Sequence, residues 1–281
     1  MLDFLFVGPM KTGTSWIHNY LRWHEGVSVP ATVKETYYFS KNSHKGEMWF
    51  DKQFDGLHPD KLRGEVGPTY FPDKNAAERI LNSCPEVRII ITLREPYERF
   101  LSHYHHNVRA GFIEPGTALG EVFKTMAGMR GHASYAENVH MWREVFGADK
   151  VDVILYENLK VDAQRFGLDI CNILDVHALN APDEVNKKVG GRVTPRNAFM
   201  YRSAKNVATF LRKRDMNFLV NIPKKLGVQD MLVSKKVPQE EKLADSKEMF
   251  AALKIEGARL EQEIGLDISK WKKIWESTGQ T

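Results

Sequence analysis

Residues 4–16, FLFVGPMKTGTSW, contain a short apolar run, a loop bounded by glycines and the start of a helical pattern. A strand, a tight turn and a helix N-terminus in this order point several backbone N–H groups at one spot, where the helix dipole adds positive charge. The stretch therefore predicts a phosphate-binding loop. The usual nucleoside-triphosphatase loop has a lysine directly after its second glycine. Here Thr14 follows Gly13, and the loop lysine is Lys11.

The composition is that of an ordinary globular protein, since 42% of the 281 residues are hydrophobic and 27% are charged. A chain of this length is expected to form a single domain over residues 1–281. Its two cysteines, Cys84 and Cys171, lie far apart, which argues against a zinc site and a disulfide framework. A net charge of +4 is too small to indicate a nucleic-acid binder. Because no leader peptide or membrane-spanning run is evident, we expect a cytoplasmic location.

Strand-length apolar runs alternate with helical patterns along the first two thirds of the chain. The runs predict strands at residues 2–7, 88–93 and 151–156. Helices are expected at residues 14–24, 74–83, 97–109, 135–146, 162–174 and 246–263. This alternation predicts an α/β fold, a three-layer α/β/α sandwich around a central parallel sheet that binds its ligands at the carboxyl ends of the strands.

The remaining third has poorer periodicity. Residues 196–242 are interpreted as a flap over a substrate or as a pair of helices, and residues 243–281 as a C-terminal helical segment. Lysines and arginines cluster between residues 202 and 236. A solvated basic face explains this cluster, as does contact with an anionic substrate or a membrane surface.

Four further motifs follow the loop in order. They are KETYYF at 34–39 with HKG at 44–46 and WF at 49–50, Glu65 with TYF at 69–71, REPYER at 94–99 with Ser102, and GRVTP at 191–195. Together with the loop, these motifs resemble the sulfotransferases that use 3′-phosphoadenosine 5′-phosphosulfate, in particular the heparan-sulfate-type branch.

The resemblance implies a sulfuryl donor, a bisphosphate product (adenosine 3′,5′-bisphosphate) and no metal. It implies that Glu35 is the general base and that Lys11 stabilises the leaving group. The residues it assigns to donor binding are Lys11, Thr12, Gly13, Thr14, Ser15, Arg94, Ser102, Gly190, Gly191 and Arg192. It also implies that the first strand and the strand before Arg94 are neighbours.

The sulfuryl acceptor is not specified by these motifs. Candidate acceptor-binding residues are Lys34, Lys45, Trp49 and Tyr70. Aromatic residues at 49, 50, 70 and 71 predict an apolar wall beside the acceptor. Val66 stands where the heparan-type enzymes carry a basic residue, which argues against an acidic polysaccharide. A hydroxyl or amine of a small molecule, a lipid or a carbohydrate fits this pattern, and the oligomeric state is left open.

Alternatives exist for the base and for the function. In the alternative interpretation, Glu35 is a surface glutamate paired with Lys34. The base would then be one of four histidines, His44, His103, His105 or His106. The rival functions are a nucleotide-kinase-like phosphotransferase and a non-catalytic nucleotide-binding module. The loop lacks the kinase lysine and no acidic magnesium ligand ends a later strand, so the first rival is disfavoured.

Overall fold

The computed structural model describes residues 1–54, 56, 58, 60–186 and 247–277, and the backbone pairing of Thr194–Pro195 with Val233–Ser234. The predicted donor residues Gly190, Gly191 and Arg192 lie outside the described residues. So do the predicted flap and the basic segment, apart from that backbone pairing.

Five parallel strands form the central sheet. They are β1 (Phe4–Phe6), β2 (Val27–Ser28), β3 (Leu62–Val66), β4 (Arg88–Leu93) and β5 (Val151–Leu155). Their order is β2-β3-β1-β4-β5. Strand β1 pairs directly with β4, with Phe4 opposite Arg88 and Phe6 opposite Ile90. The two strands that precede the loop and Arg94 are therefore neighbours, as the resemblance implied.

Twelve described helices surround this sheet or extend from it. They are α1 (Thr14–Trp23), α2 (Glu47–Asp51), α3 (Lys74–Ser83), α4 (Pro96–Arg109), α5 (Leu119–Thr125), α6 (Ala127–Gly131), α7 (Tyr135–Phe146), α8 (Tyr156–Val161), α9 (Ala163–Leu174), α10 (Asp183–Asn186), α11 (Lys247–Ile264) and α12 (Ser269–Ser277). None of these helices combines the length and apolarity needed to span a membrane.

Both faces of the sheet are covered by helices. Because side chains alternate along a strand, Phe4 and Phe6 of β1 pack with α1 and α9 on one face. Leu5 and Val7 point the other way and pack with α3, α7 and α12. The predicted three-layer α/β/α sandwich is confirmed.

Strand β3 was not predicted, because its sequence, LRGEV, lacks the apolar character of a buried strand. Its polar residues are nonetheless inside, since Glu65 has no exposed surface and Arg63 is 9% exposed. Gly64 is required by packing, because a Cβ atom there would lie 2.2 Å from the Phe4 ring. This strand delivers Glu65 to the carboxyl edge of the sheet.

Candidate active site

The predicted phosphate-binding loop connects β1 to α1 and is held by close packing. A Cβ atom at Gly8 would lie 2.3 Å from the Thr92 carbonyl oxygen, and one at Gly13 would lie 2.8 Å from the Tyr156 ring. Gly13 also has a left-handed φ of 85°, which glycine tolerates best. It provides no side-chain cap, and the first turn of α1 contains no acidic residue. The helix therefore presents backbone N–H groups suited to an anion.

Cations gather around this helix terminus. Burial, together with repulsion from the nearby Arg109, Lys34 and Arg94, lowers the pKa of Lys11 to about 8. Lys34 donates a hydrogen bond of 2.9 Å from Nζ to Thr14 Oγ1, and burial lowers its pKa as well. Among the described residues, neither lysine forms an ion pair with a carboxylate. Like charges held this closely favour a multiply charged anion as ligand.

The backbone of the loop turns sharply between β1 and α1. Lys11 has a φ of 79°, which is uncommon for a residue with a side chain. Thr12 is buried and donates from Oγ1 to the Pro9 carbonyl oxygen at 2.8 Å, which closes the turn. Ser15 occupies the second position of α1, so its backbone N–H is one of those that have no acceptor within the helix.

Arg94 follows β4 directly and is held by its surroundings. Its Nη2 atom lies 2.7 Å from Glu98 Oε2, and its guanidinium lies 5.0 Å from the centre of the Tyr156 ring. The Nε atom is buried and has no hydrogen-bond partner in the part of the chain that the structure describes. An unpaired buried donor beside a cationic loop fits a phosphate oxygen.

Helix α4 begins at Pro96, one residue before the predicted start, because proline suits the first position of a helix, and it carries Ser102 two turns from its start. Glu95 caps this helix by accepting hydrogen bonds from the N–H groups of Tyr97 at 3.1 Å and Glu98 at 2.7 Å. Ser102 is partly exposed and lies on the same helix as the Glu98 partner of Arg94.

Two tryptophans of α12 form hydrogen bonds with Glu95, which caps α4, and with Glu157. These contacts were not predicted from the sequence. Trp275 donates from Nε1 to Glu95 Oε1 at 2.8 Å, and Trp271 donates to Glu157 Oε2 at 2.8 Å. Glu157 in turn accepts from the backbone N–H of Glu95 at 3.1 Å. These partners are more than 100 residues apart in the chain, so no local pattern indicates them.

Glu35 lies on the segment between β2 and α2, next to Lys34. Its Oε1 atom accepts hydrogen bonds from the Thr69 N–H at 3.0 Å and from the Thr69 hydroxyl. Burial raises the pKa of Glu35, while the bonds from Thr69 and the charge of Lys34 oppose that shift. Because Lys34 also contacts Thr14, the candidate base stands beside the loop.

The predicted aromatic wall is wrong for three of its four residues. Phe50, Tyr70 and Phe71 are at most 5% exposed and belong to the core beneath α3 and α7. Side chains buried there do not contact an acceptor. Trp49 is partly exposed, and Lys45 Nζ lies 4.4 Å from the centre of its ring.

The candidate histidine bases occupy different environments. His44 is exposed, whereas burial and the charge of Arg99 lower the pKa of His103 to about 2. His105 and His106 are half-buried on α4. Within the described residues no cluster of three or more histidine, cysteine or acidic side chains is placed to hold a metal ion.

The structure thus brings Lys11, Thr14, Lys34 and Glu35 into one cluster, with Arg94 at its edge. The sequence profile of the sulfotransferase domain matches residues 2–189, about two thirds of the chain. The chain belongs to the sulfotransferase family. The matched region of this family member contains the whole cluster and ends before α11 and α12.

Two relatives match over a little more than a third of this chain. The chain is 34% identical over 110 residues to the membrane-associated sulfotransferase kil1 of Dictyostelium discoideum, covering 38% of this chain and 23% of that protein. It is 37% identical over 111 residues to the bifunctional heparan sulfate N-deacetylase/N-sulfotransferase 2 of Homo sapiens, covering 37% and 12%. The matches thus span less than a quarter of these relatives.

A solved structure supports the fold over nearly the whole chain. The sulfotransferase from Alicyclobacillus acidocaldarius superposes with a TM-score of 0.68, covering 97% of this chain and 99% of that one, at 22% sequence identity. This similarity extends the sulfotransferase fold beyond the region that the family profile matches.

Proposed function

We propose that this family member transfers a sulfuryl group from 3′-phosphoadenosine 5′-phosphosulfate to a hydroxyl or amine, within a single catalytic domain. The acceptor belongs to a small molecule, a lipid or a carbohydrate. The observation that carries the proposal is the cationic cluster at the uncapped start of α1, with the carboxylate of Glu35 beside it.

The residues present fit such a donor. The N–H groups of residues 13–15 and the Lys11 ammonium would bind its 5′ group, and Arg94 with Ser102 would bind the 3′-phosphate. The buried Arg94 Nε is a donor that a phosphate oxygen would satisfy. When bound, the donor supplies an activated sulfuryl group whose departure leaves negative charge on the 5′-phosphate.

Lys11 would stabilise that charge. A positioned ammonium in a partly buried site interacts with developing charge more strongly than one in water. Lys34 neighbours both Thr14 and Glu35, so it would face the oxygens of the transferring group. We assign it to the reacting centre rather than to acceptor binding.

Glu35 would accept the proton that the acceptor loses. A general base must lie within hydrogen-bond reach of that proton and be ionised at the working pH. Burial raises the pKa of Glu35, and Thr69 and Lys34 limit that rise because they favour the ionised form. Lys45 and Trp49 lie further along the same segment and are the acceptor contacts that we retain.

Ligand titration tests the donor assignment. We expect adenosine 3′,5′-bisphosphate to stabilise the protein in a thermal-shift assay without magnesium, and magnesium-ATP to have little effect. Stabilisation by magnesium-ATP alone would support a phosphotransferase instead. Acceptor classes are then screened by mass spectrometry with isotope-labelled donor.

Turnover measurements separate catalysis from binding. Lys11→Ala should lower kcat by about 100-fold and donor affinity much less, because its main contribution arises as charge develops. The matched control is Lys124→Ala, an exposed lysine on α5 that pairs with Glu248 at 3.2 Å. Equal losses of kcat and affinity in Lys11→Ala would contradict this role.

A further inference from the structure

Glu35 and Glu65 are joined by two matching sets of hydrogen bonds. Glu35 Oε1 accepts from both the N–H and the hydroxyl of Thr69, which lies just beyond β3. Glu65 Oε1, on β3, accepts from the N–H of Thr36 at 2.5 Å and from its hydroxyl at 2.8 Å. Each glutamate thus binds the threonine that belongs to the other glutamate's segment.

Thr36 is the residue through which Glu65 acts on the base. It follows Glu35 directly in the chain and is 2% exposed. Its hydroxyl also accepts from the Tyr38 N–H at 3.1 Å, and its carbonyl accepts from Asn42 Nδ2 at 2.7 Å. The backbone is left-handed at Tyr37, with a φ of 55°. A non-glycine residue keeps that conformation only where its surroundings hold it.

We propose that Glu65 is a positioning residue for sulfuryl transfer, whose carboxyl binds Thr36 and thereby sets the place and orientation of the Glu35 carboxylate. The inference rests on the proposed function, in which Glu35 is the base. Glu65 itself has no exposed surface, so the proposed role acts through Thr36.

The environment of Glu65 suits this role. Burial and the charge of Glu35, opposed by the hydrogen bonds of Thr36 and Tyr70, raise the pKa of Glu65 to about 8. The titratable groups that face it are therefore Glu35 and Tyr70. The raised pKa favours the neutral form of Glu65, which reduces its repulsion of the Glu35 carboxylate.

The first test compares Glu65→Gln with Glu65→Ala. Glutamine keeps the acceptor oxygen for Thr36, so kcat should stay within about threefold of the parent enzyme, whereas alanine should lower it by about 10- to 100-fold. Affinity for adenosine 3′,5′-bisphosphate should be unchanged in both. The acid limb of the kcat profile should move to higher pH in Glu65→Ala alone, because a displaced Glu35 loses the Thr69 bonds that lower its pKa.

A folded Glu65→Ala enzyme with parental kcat and pH profile would overturn the proposal. So would a Glu65→Gln enzyme as impaired as Glu65→Ala. Thr36→Val keeps the N–H and loses the hydroxyl, so it decides the matter if Glu65→Ala does not fold. For Thr36→Val we expect kcat to fall roughly three- to tenfold, with unchanged affinity for the bisphosphate. An unchanged kcat in Thr36→Val would then refute the role of Glu65.

A spectroscopic readout keeps this inference separate from the proposed function. In protein labelled with ¹⁵N-threonine, the Thr69 amide reports the position of Glu35 and the Thr36 amide reports its bond to Glu65. Both resonances should shift in Glu65→Ala and remain near their parental positions in Glu65→Gln. An unshifted Thr69 resonance in Glu65→Ala would overturn the positioning role. Failure of the parent protein to transfer any sulfuryl group would instead overturn the proposed function.

Discussion

The ionisable side chains at the two ends of the parallel sheet differ in burial and in pairing. At the amino ends, Arg88 forms two hydrogen bonds with Asp152, of 2.6 and 3.2 Å, and Lys150 lies 2.8 Å from Glu86. These side chains are paired and accessible to water. At the carboxyl ends, burial lowers the pKa of Lys11 and raises those of the site glutamates.

The difference lies in burial and in the balance of charge, since both ends use lysine, arginine and carboxylates. An exposed ion pair contributes about 0–1 kcal/mol and needs no ligand. Buried like charges destabilise the folded protein and are relieved when an anion binds. Ligands of parallel α/β sheets bind at the carboxyl ends of the strands, where these buried like charges lie.

The largest expected effect is that of Glu35→Gln at the carboxyl edge. Removing a general base should lower kcat by about 100- to 10,000-fold, while the affinity for adenosine 3′,5′-bisphosphate stays the same. Steady-state kinetics with labelled donor and calorimetric titration measure the two quantities. Full activity in this variant would transfer the role of base to one of the candidate histidines.

Arginines at the two ends of β4 make the most direct comparison. Arg94→Ala should weaken bisphosphate binding by about 10- to 100-fold, because a charge-assisted phosphate contact is lost. Arg88→Ala, at the other end of the same strand, should leave the affinity unchanged. Calorimetry on both variants checks this. Similar losses in the two would show that the ends of the sheet do not differ in the way described.

Lys11 gives a pH dependence with a defined sign. Its pKa is about 8 in the free protein, and a bound dianion raises it, so binding takes up a proton above that pH. The bisphosphate affinity should therefore be constant near neutrality and fall above pH 8 by a few-fold in total, because the Lys11 charge contributes modestly to binding.

The matched variant for this experiment is Lys11→Met, in which the alkaline fall should disappear while the fold is retained. Affinity is measured by calorimetry in buffers of equal ionic strength, since phosphate contacts are screened by salt. A parent protein whose affinity stays level up to about pH 9.5 would mean that Lys11 does not contact the ligand.

The smallest effect concerns the support beneath the carboxyl edge. Trp275→Phe removes one hydrogen bond to the buried Glu95 carboxylate and should lower the free energy of unfolding by about 1.5–3 kcal/mol. Bisphosphate affinity should fall less than fivefold or so, because Glu95 still caps α4. Denaturant unfolding measures the change, and Trp23→Phe, on a residue 42% exposed, is the control. Equal stability of the two variants would contradict the proposed support.

Local features of the fold were predictable because local patterns encode them. The apolar run before Gly8, the glycine at the start of α1 and the proline at the start of α4 each act within a few residues. For that reason the strand at Arg88–Leu93 and the helix at Lys74–Ser83 have the predicted bounds. The resemblance, rather than periodicity, supplied Glu35 and Arg94.

Burial at the site was not predictable in the same way. Tyr70 belongs to the motif that begins at Glu65 and was a predicted acceptor contact, yet the turn after β3 directs it into the core. Glu65 looks like an ordinary charged residue, but the strand that carries it lies between β2 and β1 and is covered on both faces. Which polar residue is inside depends on sheet order.

The sequence by itself determined the phosphate-binding loop, the strand–helix alternation and the motif that contains Glu35, because each depends on neighbouring residues and their backbone preferences. Only the tertiary structure decided that Glu65 binds Thr36 and that Trp275 binds Glu95. Those partners are 29 and 180 residues apart. Such contacts arise when strand order and helix packing bring distant segments together, and no local signal records them.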